Sequence, residues 1–273
     1  MCTVVIICQF EFNYLRKVAK NYLFHHRNSP ILISVPHDGT VIPDDIADNM
    51  HEFAKQSPDR DFYVSQLFSF AKDFDISLLK TNISRYVIDM NRPADDSSLY
   101  PGQSGTELCP TTSFDNKDLY ITKPSTEEIK RRIEEYWQPY HQIISDKLDV
   151  IKQQHGFAIL IDAHSIKSQV PRFFDGQLPD INIGTNSGKS CSSQYTDKLE
   201  SVLKSQKQYS YVFNDRFKGG HITRFYGNPD NNIHAIQFEL SQINYMDESN
   251  NRFLVEKAEK LKTLLIRMVN TLC

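Results

Sequence analysis

The sequence predicts an α/β fold, in which short buried strands alternate with longer amphipathic helices. Short apolar runs rich in β-branched and aromatic residues are separated by stretches with helical periodicity. Neither an internal repeat nor a Gly/Ser-rich linker divides the 273 residues. With 40% hydrophobic residues, the chain has enough apolar side chains for a large core. We therefore expect a single domain.

Charge and cysteine content argue against several classes of protein. The net charge is −3 and no block of basic residues occurs, so we expect no nucleic-acid partner and no membrane partner. Apolar runs stay below the ~18 residues needed to span a bilayer, and the apolar N-terminus lacks the basic start of a signal peptide. The five cysteines form no CxxC pair, which favours a reducing, cytoplasmic location.

Four runs have the pattern of buried strands. Each is short, rich in Val, Ile or aromatic residues, and bounded by turn-forming or polar residues. They are residues 30–36, 85–89, 156–162 and 233–240.

A capping box marks the start of the best-defined helix. Ser125 stands at the N-cap and Glu128 follows three residues later, after which the helical pattern continues towards Gln154. Gly156 suits the C-cap, and Pro139 is expected to kink the helix.

Two further stretches complete the predicted organisation. Apolar residues recur at helical spacing between residues 253 and 272, which predicts a C-terminal helix packed on the sheet. Residues 93–123 are rich in Pro, Gly, Asp, Ser and Thr without a period, so we expect a long surface loop. Long loops in compact domains are often functional.

Polar side chains follow or end the predicted strands. His37 follows the first strand, Asn91 and Arg92 the second and His164 the third, while Glu239 lies near the end of the fourth. Ligands of open α/β sheets bind beyond the carboxyl ends of the strands, so we expect these groups to meet at one edge. Two histidines and a carboxylate are a common ligand set of catalytic zinc.

The carboxylate ligand is expected from the pair Asp59 and Asp61, of which Asp61 is preferred because it begins a helical phase. Both could instead be carboxylates that stabilise a helix N-terminus. Glu239 lies inside an apolar strand, where a carboxylate is costly unless it is paired or functional, and enclosed carboxylates often serve in proton transfer.

Arginines form a second group of candidates. Arg85, Arg92, Arg172 and Arg224 lie near the predicted strand ends or in Gly-containing segments. Guanidinium groups bind carboxylates in two-point geometry, so this set predicts an anionic substrate. Any one of them could instead form a surface ion pair.

A set of motifs spans most of the chain, at residues 34–39, 84–93, 140–142, 162–165, 171–176, 182–185, 217–224 and 245–247. In these motifs the chain resembles the N-formylglutamate amidohydrolase (N-formylglutamate deformylase) family from residue 21 to the last helix. Residues 1–20 have no recognised counterpart and are interpreted as an N-terminal extension or the product of an upstream start.

The resemblance implies a single three-layer α/β/α domain over residues 21–273, with a mixed, largely parallel sheet like that of zinc carboxypeptidases. It implies hydrolysis of N-formyl-L-glutamate to L-glutamate and formate, the last step of a histidine degradation route. In this interpretation one divalent metal ion, Zn²⁺, is bound by His37, Asp61 and His164. Glu239 then acts as the general base, and Arg85 helps to stabilise the oxyanion.

The resemblance also implies a substrate-binding set. Asn91 and Arg92 match residues that hold the α-carboxylate in aspartoacylases, which leaves Arg172 or Arg224, with His221, for the second carboxylate. The chain departs from the family pattern at Asp59-Arg-Asp61, where Asp-Thr-Asp is usual. It also has Thr40 where the HxxE motif of zinc carboxypeptidases has its Glu.

Two alternatives remain open at the level of sequence. The substrate could be another N-acyl amino acid or a formylated peptide. The protein could also be a dicarboxylate-binding protein without catalysis, although binding alone needs no general base.

Overall fold

The structure, a computed structural model, describes residues 21–99, 102 and 105–273, so the predicted extension at residues 1–20 lies outside the described residues. A seven-stranded sheet forms its centre, with strand order β1-β3-β2-β4-β7-β5-β6. Its strands are β1 (Tyr22–His25), β2 (Ile31–Val35), β3 (Ser77–Thr81), β4 (Ala158–Ile166), β5 (Ile181–Gly184), β6 (Tyr211–Phe213) and β7 (Ile233–Ser241). Strands β8 (Met246–Asp247) and β9 (Arg252–Phe253) form a separate antiparallel pair.

The middle of the sheet is parallel. Strands β3, β2, β4 and β7 run in the same direction, β1 is antiparallel to β3, and β5 is antiparallel to β7 and parallel to β6. The sheet is therefore mixed and largely parallel, as the resemblance implies. Because β4 and β7 are parallel and in register, His164 lies beside Glu239 at their carboxyl ends.

Helices cover both faces of the sheet. Ile31, Ile33 and Val35 of β2 enter one core with the C-terminal helix, while Leu32 enters a second core with the helix that ends at His155. This alternation confirms three layers. The helices are α1 (Asp44–Ala47), α2 (Val64–Leu67), α3 (Thr126–Arg132), α4 (Gln138–His155), α5 (Ser193–Lys204), α6 (His221–Tyr226) and α7 (Val255–Asn270). None of the helices in the described part of the chain is long and apolar enough to cross a membrane.

The helix predictions are confirmed with one refinement. The hydroxyl of Ser125 accepts a hydrogen bond from the amide of Glu128 (3.2 Å), and Gly156 ends α4 in the left-handed region with a φ of 79°. Between α3 and α4 the chain forms a π-helical turn, Ile133–Trp137, which ends two residues before Pro139. The irregularity expected at Pro139 is therefore a widened turn that precedes the proline.

The predicted strand at residues 85–89 is wrong. The amide of Val87 donates to the carbonyl oxygen of Ser84 (2.9 Å), and the Ser84 hydroxyl accepts from the amide of Tyr86 (3.2 Å), which closes a turn. Tyr86, Val87 and Ile88 are nevertheless buried. A buried apolar run has the same composition whether it is a strand or a packed turn, and here β3, just before it, is the strand.

Candidate metal centre and substrate cavity

Two histidines and an aspartate meet at the carboxyl ends of β2 and β4. His37 follows β2, His164 lies within β4, and Asp61 lies in the turn that leads into α2. All three are buried, and one potential ligand atom from each lies within 4.8 Å of the others. The amide of Asp61 donates to the carbonyl oxygen of His37 (3.0 Å), so the main chain itself joins two of the three residues.

Both histidines present the same ring nitrogen to Asp61. Their Nδ1 atoms lie 3.6 Å (His37) and 3.0 Å (His164) from its Oδ2 atom. On the opposite side of each ring, Nε2 lies 2.6 Å from Asp89 for His37 and 2.8 Å from Asp162 for His164. A carboxylate that accepts the Nε2 proton leaves Nδ1 with its lone pair, which is the arrangement found behind metal-binding histidines.

This donor set fits a divalent metal ion. Two imidazole nitrogens and one carboxylate oxygen suit the borderline character of Zn²⁺ and leave a coordination position open. Asp59, the alternative carboxylate, is engaged elsewhere. Its Oδ2 accepts hydrogen bonds from the Tyr86 hydroxyl (2.5 Å) and from the amide of Phe114 (2.6 Å). The described residues therefore favour Asp61 over Asp59 as a ligand.

Arg85 lies between two of the site's carboxylates. Its guanidinium donates to Asp61 (3.3 Å) and to Asp89 (2.9 Å). Burial raises the pKa of Asp89, but His37 and Arg85 outweigh that effect and hold the pKa well below its usual range. Burial also raises the pKa of Asp61, but the opposing effect of His37 and His164 is larger. The pKa of Asp61 therefore lies below its usual value. These carboxylates therefore stay ionised, and negative charge surrounds the two histidines.

Glu239 lies beside this cluster on the adjacent strand. It is 6% exposed, and one of its carboxylate oxygens accepts a hydrogen bond from the side-chain amide of Gln237 (3.1 Å). The side-chain oxygen of Gln237 in turn accepts from the amide of Gly220 (2.7 Å). Burial raises the pKa of Glu239 to about 8. A carboxyl group with a pKa near neutrality is suited to proton transfer.

Asn91 connects the cluster to helix α6. Its side-chain oxygen accepts from the amide of Ile222 (2.7 Å), and its amide nitrogen donates to Asp162 (3.0 Å). That nitrogen also lies 2.8 Å from Nε2 of His164. Gly220 is required here, because a Cβ atom at this position would lie only 2.3 Å from the Asn91 amide nitrogen.

A cavity of about 300 Å³ opens onto the cluster. This volume lies at the small end of the range for ligand sites, ~300–1,000 Å³, as a small substrate requires. Its wall contains all three members of the cluster and Glu239. It also contains cationic groups (Arg85, Arg92, Arg216), aromatic rings (Phe114, Phe173, Phe217), and Asp89, Asn91 and Gln237.

Three predicted substrate-binding residues lie outside this wall. Arg172 donates to the carbonyl oxygen of Ser113 (2.5 Å), and Nε of Arg224 donates to the carbonyl oxygen of Gly219 (2.8 Å). His221 is buried in an aromatic cluster, with ring centroids 5.7 Å from Trp137. None of the three is among the residues that line the cavity.

Sequence reasoning missed Gln237 and Arg216. Gln237 could have been found from strand periodicity, because it lies two residues before Glu239 and so on the same face of β7. Arg216 directly precedes the motif at residues 217–224, but it is carried by the loop after β6, a strand that the sequence pattern did not predict.

Comparisons with known proteins give a consistent result. A protein-family model of N-formylglutamate amidohydrolase matches residues 29–246. An N-formylglutamate deformylase of Pseudomonas putida is 46% identical over 228 residues, 83% of this chain and 85% of that protein. The deformylase of Pseudomonas aeruginosa is 46% identical over 227 residues, 82% of this chain and 85% of that protein. The crystal structure of N-formylglutamate amidohydrolase from Ralstonia eutropha has a similar fold, with a TM-score of 0.79 at 23% identity, covering 93% of this chain and 96% of that one.

Proposed function

The chain belongs to the N-formylglutamate amidohydrolase family, and on this premise we propose that it hydrolyses N-formyl-L-glutamate to L-glutamate and formate. The observation that carries this proposal is the buried cluster of His37, Asp61 and His164, which lies with Glu239 in the wall of one small cavity. Zn²⁺ as the metal, a role at the end of histidine degradation and a cytoplasmic location belong to the same proposal.

His37, Asp61 and His164 would hold the metal ion. When bound, the ion would supply Lewis acidity that lowers the pKa of a water molecule and polarises the formyl carbonyl group. Asp89 and Asp162 keep the two imidazoles in the tautomer that exposes Nδ1. Ser165 helps to hold the Asp61 carboxylate in place, because the main-chain amide of Ser165 donates to Oδ2 of Asp61 (3.0 Å).

Glu239 would accept the proton of the attacking water and deliver it to the leaving amine. Its burial, and its place beside His164 at the carboxyl end of β7, put the carboxylate next to the ligand set. Arg85 lines the same cavity and would add positive charge near the oxygen that becomes negative in the tetrahedral intermediate.

Substrate binding would use the arginine-containing side of the cavity. Arg92 and its neighbour in the chain, Asn91, both line the cavity, which supports the proposal that Arg92 binds the α-carboxylate. The roles of Arg172, His221 and Arg224 remain predictions, because none of these residues lies in the cavity wall.

Formate release from N-formyl-L-glutamate by the purified protein tests the proposal. We expect release that stops with a chelator and returns with added Zn²⁺, and slower or no turnover of N-acetyl-L-aspartate. The Glu239→Gln variant should keep the metal, measured by elemental analysis, and lose roughly 100-fold or more of the turnover rate. Zinc-loaded protein that releases no formate would contradict the proposed substrate. Full activity of Glu239→Gln would remove that residue from the mechanism.

A further inference from the structure

Among the residues that the structure describes, the cavity wall contains three arginines, and one of them is bonded to carboxylates of the site. Both ends of the Arg85 guanidinium are bonded to Asp61 and Asp89. The other two arginines among the described residues of the wall are Arg92, whose guanidinium donates to the Thr106 hydroxyl (3.2 Å), and Arg216. An N-formyl amino acid with an acidic side chain carries two carboxylates, and each of them is recognised best by a guanidinium group.

The two arginines are carried by loops that follow strands on either side of β4 in the strand order. Arg92 belongs to the chain that follows β3, whereas Arg216 follows β6. In the strand order these two strands flank β4, which contributes His164. The segment that carries Arg216 continues into helix α6, whose first amides donate to Asn91, so both segments meet at the same site.

Arg92 suits the carboxylate nearest to the scissile bond. Its neighbour in the chain, Asn91, has its side-chain amide 2.8 Å from the ring of His164. The α-carboxylate is attached to the same carbon as the amide nitrogen, so it must stay close to the metal ligands when the formyl group reacts. This leaves the side-chain carboxylate for the other segment.

Arg216 is held in place by the main chain. Its Nε atom donates to the carbonyl oxygen of Phe173 (2.7 Å), and its guanidinium lies 5.5 Å from the ring centroid of Phe217. Asn214, two residues earlier, anchors this loop, because its side-chain oxygen accepts from the amides of Thr185 (2.8 Å) and Ser187 (3.0 Å). A guanidinium fixed in this way binds a carboxylate with little further loss of side-chain entropy.

The surroundings of Arg216 match the rest of an acidic side chain. Phe114, Phe173 and Phe217 form an apolar wall for the methylene groups. Asp96 and Glu107 also line the cavity, but their carboxylates accept hydrogen bonds from main-chain amides, at 2.6 Å from Leu108 and 2.8 Å from Thr111.

We infer that Arg216 binds the side-chain carboxylate of the substrate and so selects N-formyl amino acids with an acidic side chain. This inference rests on the proposed function, and it assigns to Arg216 the role that the sequence predicted for Arg172 or Arg224. Arg216 is a specificity-determining residue in this assignment, while Arg92 binds the group that all N-formyl amino acids share.

The test compares N-formyl-L-glutamate with N-formyl-L-glutamine, which differ only in the side-chain carboxylate. Arg216→Met should lower kcat/KM for the glutamate compound roughly 10- to 100-fold, the range for a lost hydrogen bond to a charged group. The value for the glutamine compound should change far less, so the preference between the two substrates collapses. Arg216→Lys should keep part of the preference, because the charge remains without the two-point geometry.

Four further variants make the result specific. Arg92→Met should weaken turnover of both substrates to a similar extent. Arg267→Met, which removes a positive charge from helix α7, is the matched control and should leave the preference unchanged. An equal loss with both substrates in Arg216→Met would overturn the inference, and so would loss of the preference in Arg172→Met or Arg224→Met.

Binding measurements separate this inference from the proposed function. Calorimetric titration of both compounds into the zinc-loaded Glu239→Gln protein should show preferential binding of N-formyl-L-glutamate, and Arg216→Met in that background should abolish the preference. If the unaltered protein releases no formate but binds with this Arg216-dependent preference, the reaction is wrong and the inference stands. Equal binding of both compounds would overturn the inference even if formate is released.

Discussion

The carboxylate of Asp162 contacts the candidate metal centre without being one of its three proposed ligands. One of its oxygens lies 2.8 Å from Nε2 of His164, and the other accepts hydrogen bonds from Asn91 (3.0 Å) and from the hydroxyl of Thr223 (3.1 Å). An anion behind a metal-binding imidazole fixes the tautomer and makes the ligand more basic. The sequence pattern identifies His164 as a candidate ligand, but it does not show that Asp162, two residues earlier, contacts the imidazole of His164.

Replacement of that carboxylate should weaken metal binding. In Asp162→Asn the charge behind His164 is lost, and we expect a 10- to 100-fold rise in the Kd for Zn²⁺, measured by competition with a chelating dye. Thr223→Val is the matched control, because it removes one hydrogen bond to the same side chain and leaves the charge in place. Similar metal affinities in Asp162→Asn and the unaltered protein would show that the ligand set does not need this anion.

At the scale of elements, the junction between the Asn91 loop and helix α6 shapes one side of the site. The amides of His221 (3.2 Å) and Ile222 (2.7 Å) both donate to Asn91, one to its main-chain oxygen and one to its side-chain oxygen. Gly220, at the N-cap of α6, lets the two segments approach this closely.

A methyl group at Gly220 should therefore separate the two segments. We expect Gly220→Ala to lower the free energy of unfolding by ~1–3 kcal/mol, as overpacking does, and to lower kcat/KM by displacing Asn91 and Arg92. Gly105→Ala is a suitable control for the free energy of unfolding, because the nearest atom to its new Cβ would be Nη2 of Arg92 at 3.8 Å, an ordinary contact distance. Urea unfolding and formate release measure the two effects. If Gly220→Ala changes neither the free energy of unfolding nor kcat/KM, the two segments can separate without loss of stability or activity.

The sequence predicts correctly the strands that lie in the buried, parallel middle of the sheet. Strands β2, β4 and β7 were predictable because each is an apolar run in the middle of the sheet, buried on both faces. Strands β1, β5 and β6 are short, three to four residues, and they lie towards the sides of the sheet, so their pattern is weak. The same apolar composition at residues 85–89 gave a false strand, because packed turns can be as apolar as strands.

The site shows the same division. The approach of His37, His164 and Glu239 followed from parallel strands alone, since their carboxyl ends share an edge. The choice between Asp59 and Asp61 could not follow from spacing, because it depends on which carboxylate the Tyr86 hydroxyl and the Phe114 amide occupy. Arg216 was missed because its position depends on a loop whose path is fixed by contacts distant in sequence.

At the scale of the whole molecule, buried neutral histidines make stability depend on pH. Burial lowers the pKa of His141 to about 3, and the ring is held between the Tyr226 hydroxyl and the carbonyl oxygen of Met90, each at 2.9 Å. The unfolded chain takes up this proton near pH 6.5, whereas the folded protein does not until about pH 3. The contribution of His141 to stability is therefore complete above pH 6.5 and declines as the pH falls below it.

This linkage predicts a difference between the unaltered protein and His141→Gln. One such histidine lowers the free energy of unfolding by about 1.4 kcal/mol for each pH unit below 6.5. Between pH 6.5 and pH 5, the unaltered protein should therefore lose about 2 kcal/mol more of its free energy of unfolding than the variant does. Urea unfolding at the two pH values measures the difference. Parallel pH curves for the two proteins would show that His141 takes up its proton in the folded state at the same pH as in the unfolded chain.

The hydrogen bonds among the ligand residues have a consequence for how the metal is acquired. The amide of Asp61 is bonded to the carbonyl oxygen of His37, and the amide of Ser165 to the Asp61 carboxylate, so strand ends and turn are locked together by the polypeptide itself. We therefore expect this preorganised centre to assemble without an ion. Apoprotein should then keep its fold and accept different divalent ions, so that cobalt in place of the proposed zinc would give a coloured, spectroscopically visible form of the candidate site.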